Sequence, residues 1–190
     1  MENVIAKILC GGCRYDTTDN HKDIDYLVIL DEDIKHKRTF DKENNIDYIC
    51  YGKNFIDKLL NKEETFINLQ FLLIDLMGQN EYPVNYDVLN DIDYVKSVFV
   101  NWLTENGNAV IKCIPRSKRI FYAFVLMYWA KNNAYILTNE QQEIVNKVHQ
   151  MKPIEDNICD EFTEFFGLNK WFNLELKCLQ NVYATKINKS

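Results

Sequence analysis

The segment that most constrains this chain runs from residue 4 to residue 30. An apolar stretch, Val4–Cys10, is followed by Gly11-Gly12, ten largely polar residues, and Asp23-Ile24-Asp25 leading into a second apolar stretch, Ile24–Leu30. Two short apolar runs bounded by glycine and a polar turn predict two strands. Alternate side chains of a strand share a face, so Asp23 and Asp25 project together while Ile24 and Tyr26 point to the other side. Paired carboxylates on one face repel each other, and a divalent cation offsets that cost; oxygen ligands suit Mg²⁺ or Mn²⁺. An isolated Asp-x-Asp has a plainer explanation, in which Asp23 ends the loop and Asp25 opens an exposed strand. Here the acids follow a strand and a Gly-Gly turn, where the lack of side chains lets backbone amides approach a phosphate.

Downstream, residues 46–51 (IDYICY) predict a third strand, with the turn before it at 41–45 (DKENN). Phe55, Ile56, Leu59 and Leu60, then Phe66, Leu69, Leu73 and Leu76, have helical spacing. After a break at Tyr82-Pro83, a helix is expected over 95–103, stopped by Asn106-Gly107, and Pro115 opens a long apolar helix to about residue 132. Thr138 with Gln141 three residues on forms a capping box for a helix to His149. A last helix is expected over 158–179, weakened in its middle by Gly167. Strands first and helices after predict an α+β (mixed α/β) class: a core with a small mixed sheet in 1–80 and a helical C-terminal lobe in 81–190.

Composition narrows the function. A chain of 190 residues with 47% apolar side chains can bury a substantial core in one catalytic-size unit. A net charge of −6 argues against an extended nucleic-acid track or a polybasic membrane patch, so any polyanion site must be local. The longest apolar run, 120–130, is about half the ~20 residues a membrane crossing needs, so no membrane partner is expected. Six scattered cysteines, with no leader-like start to the sequence, suggest a reducing, cytoplasmic setting and free thiols. Cys10-Gly-Gly-Cys13 has dithiol spacing, but only nine residues precede it, too few for the strand and helix that come first in a thioredoxin-like unit. The alternative is that both thiols pack beside the glycine turn. His21, His36 and His149 form no close pair for zinc.

The combination of strand, Gly-Gly, ten-residue connection, Asp-Ile-Asp and strand resembles the signature of the DNA polymerase β nucleotidyltransferase superfamily. GGCRYDTTDNHKDIDY is most similar to the predicted nucleotidyltransferases associated with RNA-repair operons, with Tyr15, Thr17 and the run Asp23-Ile24-Asp25-Tyr26 matching. Looser similarity at Asp47, Tyr51, Ile56 and KRIFYAFVLMYWA extends to about residue 150. In two departures, Gly12 stands where that family usually has Ser, and Asp16 stands where Gly is common and adds a negative charge. The resemblance implies a polymerase-β-like core that transfers a nucleoside monophosphate from an NTP to a hydroxyl and releases pyrophosphate. The acceptor stays open between an RNA end, a protein side chain and a small molecule.

Two-metal transfer needs a third acid on a neighbouring strand. Asp47, at the start of the third strand and facing with Ile49 and Tyr51, is the best candidate; Asp31 and Asp33 are rivals that follow the second strand. Under the resemblance Asp23 and Asp25 bind Mg²⁺ or Mn²⁺. Asp25 and Asp47 chelate the ion that activates the acceptor, and the amides of Gly11, Gly12 and Cys13 hold phosphate oxygens. Arg14 in the loop, and Arg116, Lys118 and Arg119 in the first turn of a helix, are candidate nucleotide ligands. A helix start disfavours cations by about 0.3–1 kcal/mol each, so either a phosphate partner or simple solvation must account for the latter three. The aromatic stripe at 121–129 reads as core, with a base-stacking face as the alternative. The rival to an enzyme is a catalytically weak nucleotide-binding or interaction module on the same fold.

Overall fold

The computed structural model describes residues 3–18, 23–64, 66, 69–82, 87–104 and 116–187, apart from the side chains of 116, 117 and 179–187. The chain is mixed α+β and divides into two compact units, Met1–Val95 and Lys96–Ser190. The first unit therefore extends past residue 80.

Its sheet has the order β1-β2-β4-β3, built from β1 (Val4–Cys10), β2 (Ile24–Leu30), β3 (His36–Asp41) and β4 (Ile46–Gly52). β1 runs antiparallel to β2, β2 parallel to β4, and β3 antiparallel to β4. In β1 the period-2 pattern is plain: Ala6, Ile8 and Cys10 are buried, while Val4, Ile5, Lys7 and Leu9 are exposed. β2 is buried on both faces in its second half. Leu27 and Ile29 share a face with Ile8 and Ala6, their register partners. Val28 and Leu30 join Cys50 on the opposite face in a small apolar cluster edged by Tyr26, Ile34 and Tyr48. The Lys7 ammonium lies 3.8 Å from the Tyr26 ring centre and closes that cluster.

Three strands were expected in this region and four are present. β3 (HKRTFD) has no apolar alternation because it is an exposed edge strand, held by its backbone pairing to β4, and its charged side chains discourage pairing with another sheet. The turn at 41–45 therefore joins β3 to β4. Asp41 fixes it by accepting hydrogen bonds from the Glu43 and Asn44 amides.

Among the described residues four helices lie wholly in this unit: α1 (Gly12–Tyr15), α2 (Lys53–Leu60), α3 (Leu69–Leu76) and α4 (Asp87–Asn90). Phe55, Ile56, Leu59 and Leu60 form the buried stripe of α2, as their spacing predicts. A fifth, α5 (Ile92–Thr104), runs across the division between the units.

In the second unit α6 (Arg116–Asn132) is buried on every side from Ile120 to Trp129. Phe124 stacks on Phe162 at 4.4 Å between ring centres, and Phe121 meets His149 at 4.5 Å. The aromatic stripe is thus core. The capping box at Thr138 forms as expected and starts α7 (Asn139–His149). The single last helix expected over 158–179 is two helices, α8 (Asp156–Phe165) and α9 (Lys170–Ile187). Gly167 lies between them at φ +63°, a left-handed conformation that ends α8 instead of merely weakening a longer helix. Among the described residues no helix is long and apolar enough to cross a membrane. Pro83, Asn106, Gly107 and Pro115 lie outside the described residues.

Candidate active site

β2 and β4 run parallel with Asp25 directly opposite Asp47, so both carboxylates lie on one face at the same end of the strands. Asp23 stands just before β2, and the three side chains each bring one oxygen within 4.8 Å of the others. Asp25 is half-buried and Asp47 buried. Asp31 and Asp33, the rivals for the third position, follow the far end of β2 and are exposed.

The Gly-Gly turn meets the acids directly. Cys10 is the register partner of Asp25, so β1 ends beside the acid and Gly11 turns over it at φ +70°. A Cβ on Gly11 would lie 2.1 Å from Asp25 Oδ2, which leaves room only for glycine. Gly12 then opens α1, a single helical turn. The first amides of such a turn have no acceptor within it and point outward from its start.

This turn rests on the end of α3. The Arg14 guanidinium donates to the Asp75 carbonyl at 2.6 Å and the Met77 carbonyl at 2.8 Å. It therefore caps the last turn of α3, where a cation is favoured, and its two terminal nitrogens are turned into the protein. The Tyr15 hydroxyl lies 3.0 Å from the Ile74 carbonyl and 3.3 Å from Asp75 Oδ1. Asp75 is buried, and the Gly11 amide also donates to it. Burial pushes its carboxyl up to about 7, with Asp25 adding to the rise, while Arg14, Tyr15 and Gly11 oppose it. Asp16 is buried too: its Oδ1 accepts from the Thr18 amide at 2.8 Å and the Thr18 hydroxyl at 2.6 Å. The carboxylate that departs from the family pattern thus folds the loop behind it.

Two neighbours of the acids and the glycine turn escaped the sequence. Arg38, on β3, forms a forked ion pair with Asp47; its Nε lies 3.0 and 2.8 Å from the two carboxylate oxygens, and a terminal nitrogen completes the fork. Finding it required a strand that apolar patterning does not reveal. Asp75 did leave a signal, as the lone charged residue in the apolar run 71–77.

The helical cations belong to the second unit, on α6. Arg119 is buried in the second unit and donates to the Trp102 carbonyl in the last turn of α5 at 2.9 Å. The negative end of one helix thereby compensates a cation at the positive start of another, so this arginine needs no phosphate to explain it. Lys118 is partly exposed on α6, and the side chain of Arg116 is outside the described residues. The cysteine thiols are suppressed: burial raises both Cys10 and Cys13, the Asp25 carboxylate adds to each although the Asp25 amide opposes the rise at Cys13, and Cys13 donates to the Cys10 carbonyl. A redox dithiol needs the opposite, a lowered pKa. Both are free cysteines packed beside the turn.

Comparison with known proteins adds one likeness. No family model matches the sequence, and no curated protein matches it. Among solved structures, spectinomycin adenyltransferase AAD(9) from Enterococcus faecialis, crystallised with ATP and spectinomycin, is similar over 94% of this chain and 91% of that chain. The identity is 16% and the TM-score 0.42.

Proposed function

We propose that the chain is a metal-dependent nucleotidyltransferase that moves a nucleoside monophosphate from an NTP to a hydroxyl group. The observation that carries this reading is the convergence of Asp23, Asp25 and Asp47 beneath a glycine turn that tolerates no side chain. Three carboxylates in such proximity repel one another, and a set of oxygen donors alone fits Mg²⁺ or Mn²⁺. Bound there, divalent cations would neutralise charge on the triphosphate and lower the pKa of the acceptor hydroxyl.

Asp23 and Asp25 would hold the nucleotide side of the site, and Asp25 with Asp47 the acceptor side. The amides of Gly12 and Cys13 would donate to phosphate oxygens, while the Gly11 amide is held by Asp75, which with Tyr15 and Arg14 fixes the turn from below. Lys118 and Arg116 remain candidates for further phosphate contacts. The acceptor oxygen attacks the α-phosphorus and a new P–O bond forms. The bond from the α-phosphorus to the bridging oxygen breaks, pyrophosphate departs, and the hydroxyl proton passes to solvent. Catalysis is then positioning and charge neutralisation, with no covalent intermediate. The polymerase-β-like resemblance in residues 8–30 supports the same assignment, within a cytoplasmic setting.

One observation favours a second reading. Arg38 already neutralises Asp47, as suits a module that binds nucleotide without turnover. Incubation of the protein with each of four α-³²P-labelled NTPs, Mg²⁺ or Mn²⁺, total RNA and cell protein separates the two. Label transferred to RNA, protein or a small product, and lost in Asp25→Asn, is the expected result. Nucleotide binding without transfer would establish the binding module instead.

A further inference from the structure

The least expected feature of the site is the cation already in it. Asp47 has a side chain 2% exposed, yet its partner Arg38 is 66% exposed and comes from an exposed edge strand. The register explains the reach: Arg38 pairs with Ile49 and Phe40 with Asp47, so Arg38 lies on the acid-bearing face, two register positions along from Asp47 and diagonal to it. Asp25 and Asp23 act on the same guanidinium, which faces the whole cluster. Both oxygens of Asp47 accept from Arg38. A cation that takes Asp47 as a ligand needs one of those oxygens, so guanidinium and metal compete for it. The arginine is always charged and sits on a flexible, solvated stem, so it can leave without an unfolding step.

Building on the transferase reading, we infer that Arg38 is a tethered cation that holds Asp47 in the resting site and is displaced when a divalent ion binds there. The resting protein then keeps its buried third acid neutralised without metal. An ion at Asp47 must outcompete the guanidinium, so ions shared with Asp47 bind more weakly than the three acids alone would bind them. That makes occupancy of the acceptor side depend on further ligands, which a bound triphosphate supplies. Arg38 is a positioning residue in this scheme, because it acts on the reacting atoms only through Asp47.

Mn²⁺ binding without nucleotide, measured by calorimetry and by electron paramagnetic resonance, tests the inference. Arg38→Ala is expected to bind Mn²⁺ at least about tenfold more tightly than the natural protein, a change equivalent to removing one competing charge-assisted pair. Arg38→Lys should lie between the two, and adding Asp47→Asn to Arg38→Ala should abolish the gain. Should Arg38→Ala not fold, the natural protein supplies a second readout. Titration with Mg²⁺ should shift the Arg38 Nε–H resonance and speed its exchange with water as the ion pair opens. Equal Mn²⁺ affinity in both proteins, or an Arg38 resonance unmoved while Mg²⁺ binds, would overturn the inference and leave the metal site standing. No binding of either ion by any variant, with or without NTP, would overturn the transferase reading and this inference with it.

Discussion

Asp75 offers the most quantitative handle on the site, because its carboxyl is buried under the glycine turn and raised from 3.8 to about 7. A group whose pKa is higher in the folded state binds its proton more tightly there. The stabilisation is complete below the unfolded value and is lost as pH rises through the folded one. Between about pH 5 and pH 8 the natural protein should lose about 2.5 kcal/mol from this group alone, from ~1.4 kcal/mol per unit of the interval between pH 5 and the folded pKa. Asp75→Asn replaces the carboxyl by a neutral group of the same shape, which can still accept from the Gly11 amide and donate toward Tyr15. Protonated Asp75 does the same, since the single proton of the Tyr15 hydroxyl cannot serve both Ile74 and Asp75 fully.

The variant should therefore match the natural protein to within about 1 kcal/mol near pH 5 and gain on it by about 2.5 kcal/mol near pH 8. Urea unfolding read from the amides of Leu27 and Ile29 isolates the unit that holds the sheet, and subtracting the two profiles removes every other titration. That subtraction matters, because burial lowers His36, whose contribution runs the opposite way and grows as pH rises through its unfolded value. A difference between the two proteins that is flat from pH 5 to pH 8 would refute the argument. So would a carboxyl carbon resonance for Asp75 that titrates near 4.

Three further outcomes follow from contacts described above. Gly11→Ala forces a side chain into a left-handed φ and onto Asp25, so it should cost about 1–3 kcal/mol in urea unfolding and abolish NTP-dependent labelling together. Thr138→Ala removes the capping box of α7 and should lower stability by about 1 kcal/mol, while Thr138→Asp should retain most of it, as thermal unfolding can show. Alkylation of the native protein near pH 8, followed by peptide mass spectrometry, should modify exposed Cys178 well before Cys10 or Cys13, whose thiols are raised by burial.

How much of this could be read beforehand depended on whether the signal was local. The alternation of β1, the apolar β2, the stripe of α2 and the cap at Thr138 are each encoded within a few residues, and each forms as its pattern dictates. The alignment of Asp23 with Asp25 is the same kind of fact. β3 escaped because an exposed edge strand gains its stability from backbone pairing, to which HKRTFD gives no side-chain clue. With β3 unseen, the partnership of Arg38 with Asp47 could not be seen either. Position points Arg14, in the glycine loop, and Arg119, at a helix start, toward phosphate, but each turns to the carbonyl end of another helix, a choice only tertiary structure makes.

The topology explains why the site forms where it does. β1 is antiparallel to β2, so the end of β1 lies at the start of β2; β4 is parallel to β2, so its start lies there as well. The turn at Gly11 and the acids at 23, 25 and 47, distant in sequence, are thus delivered to one corner of the sheet. Register decides the rest. Leu27 and Ile29 face the core with Ile8 and Ala6, and a slip of β2 by a single residue would exchange them with Val28 and Leu30, disturb the packing of both faces and throw Asp25 to the face that holds Tyr26 and Val28. The cost of mispacking both buried faces, about 1–3 kcal/mol for each strained position, is what keeps Asp25 beside Asp47 against their mutual repulsion. The apolar residues of β2 therefore hold the carboxylates together, and Arg38 lowers the repulsion they must overcome.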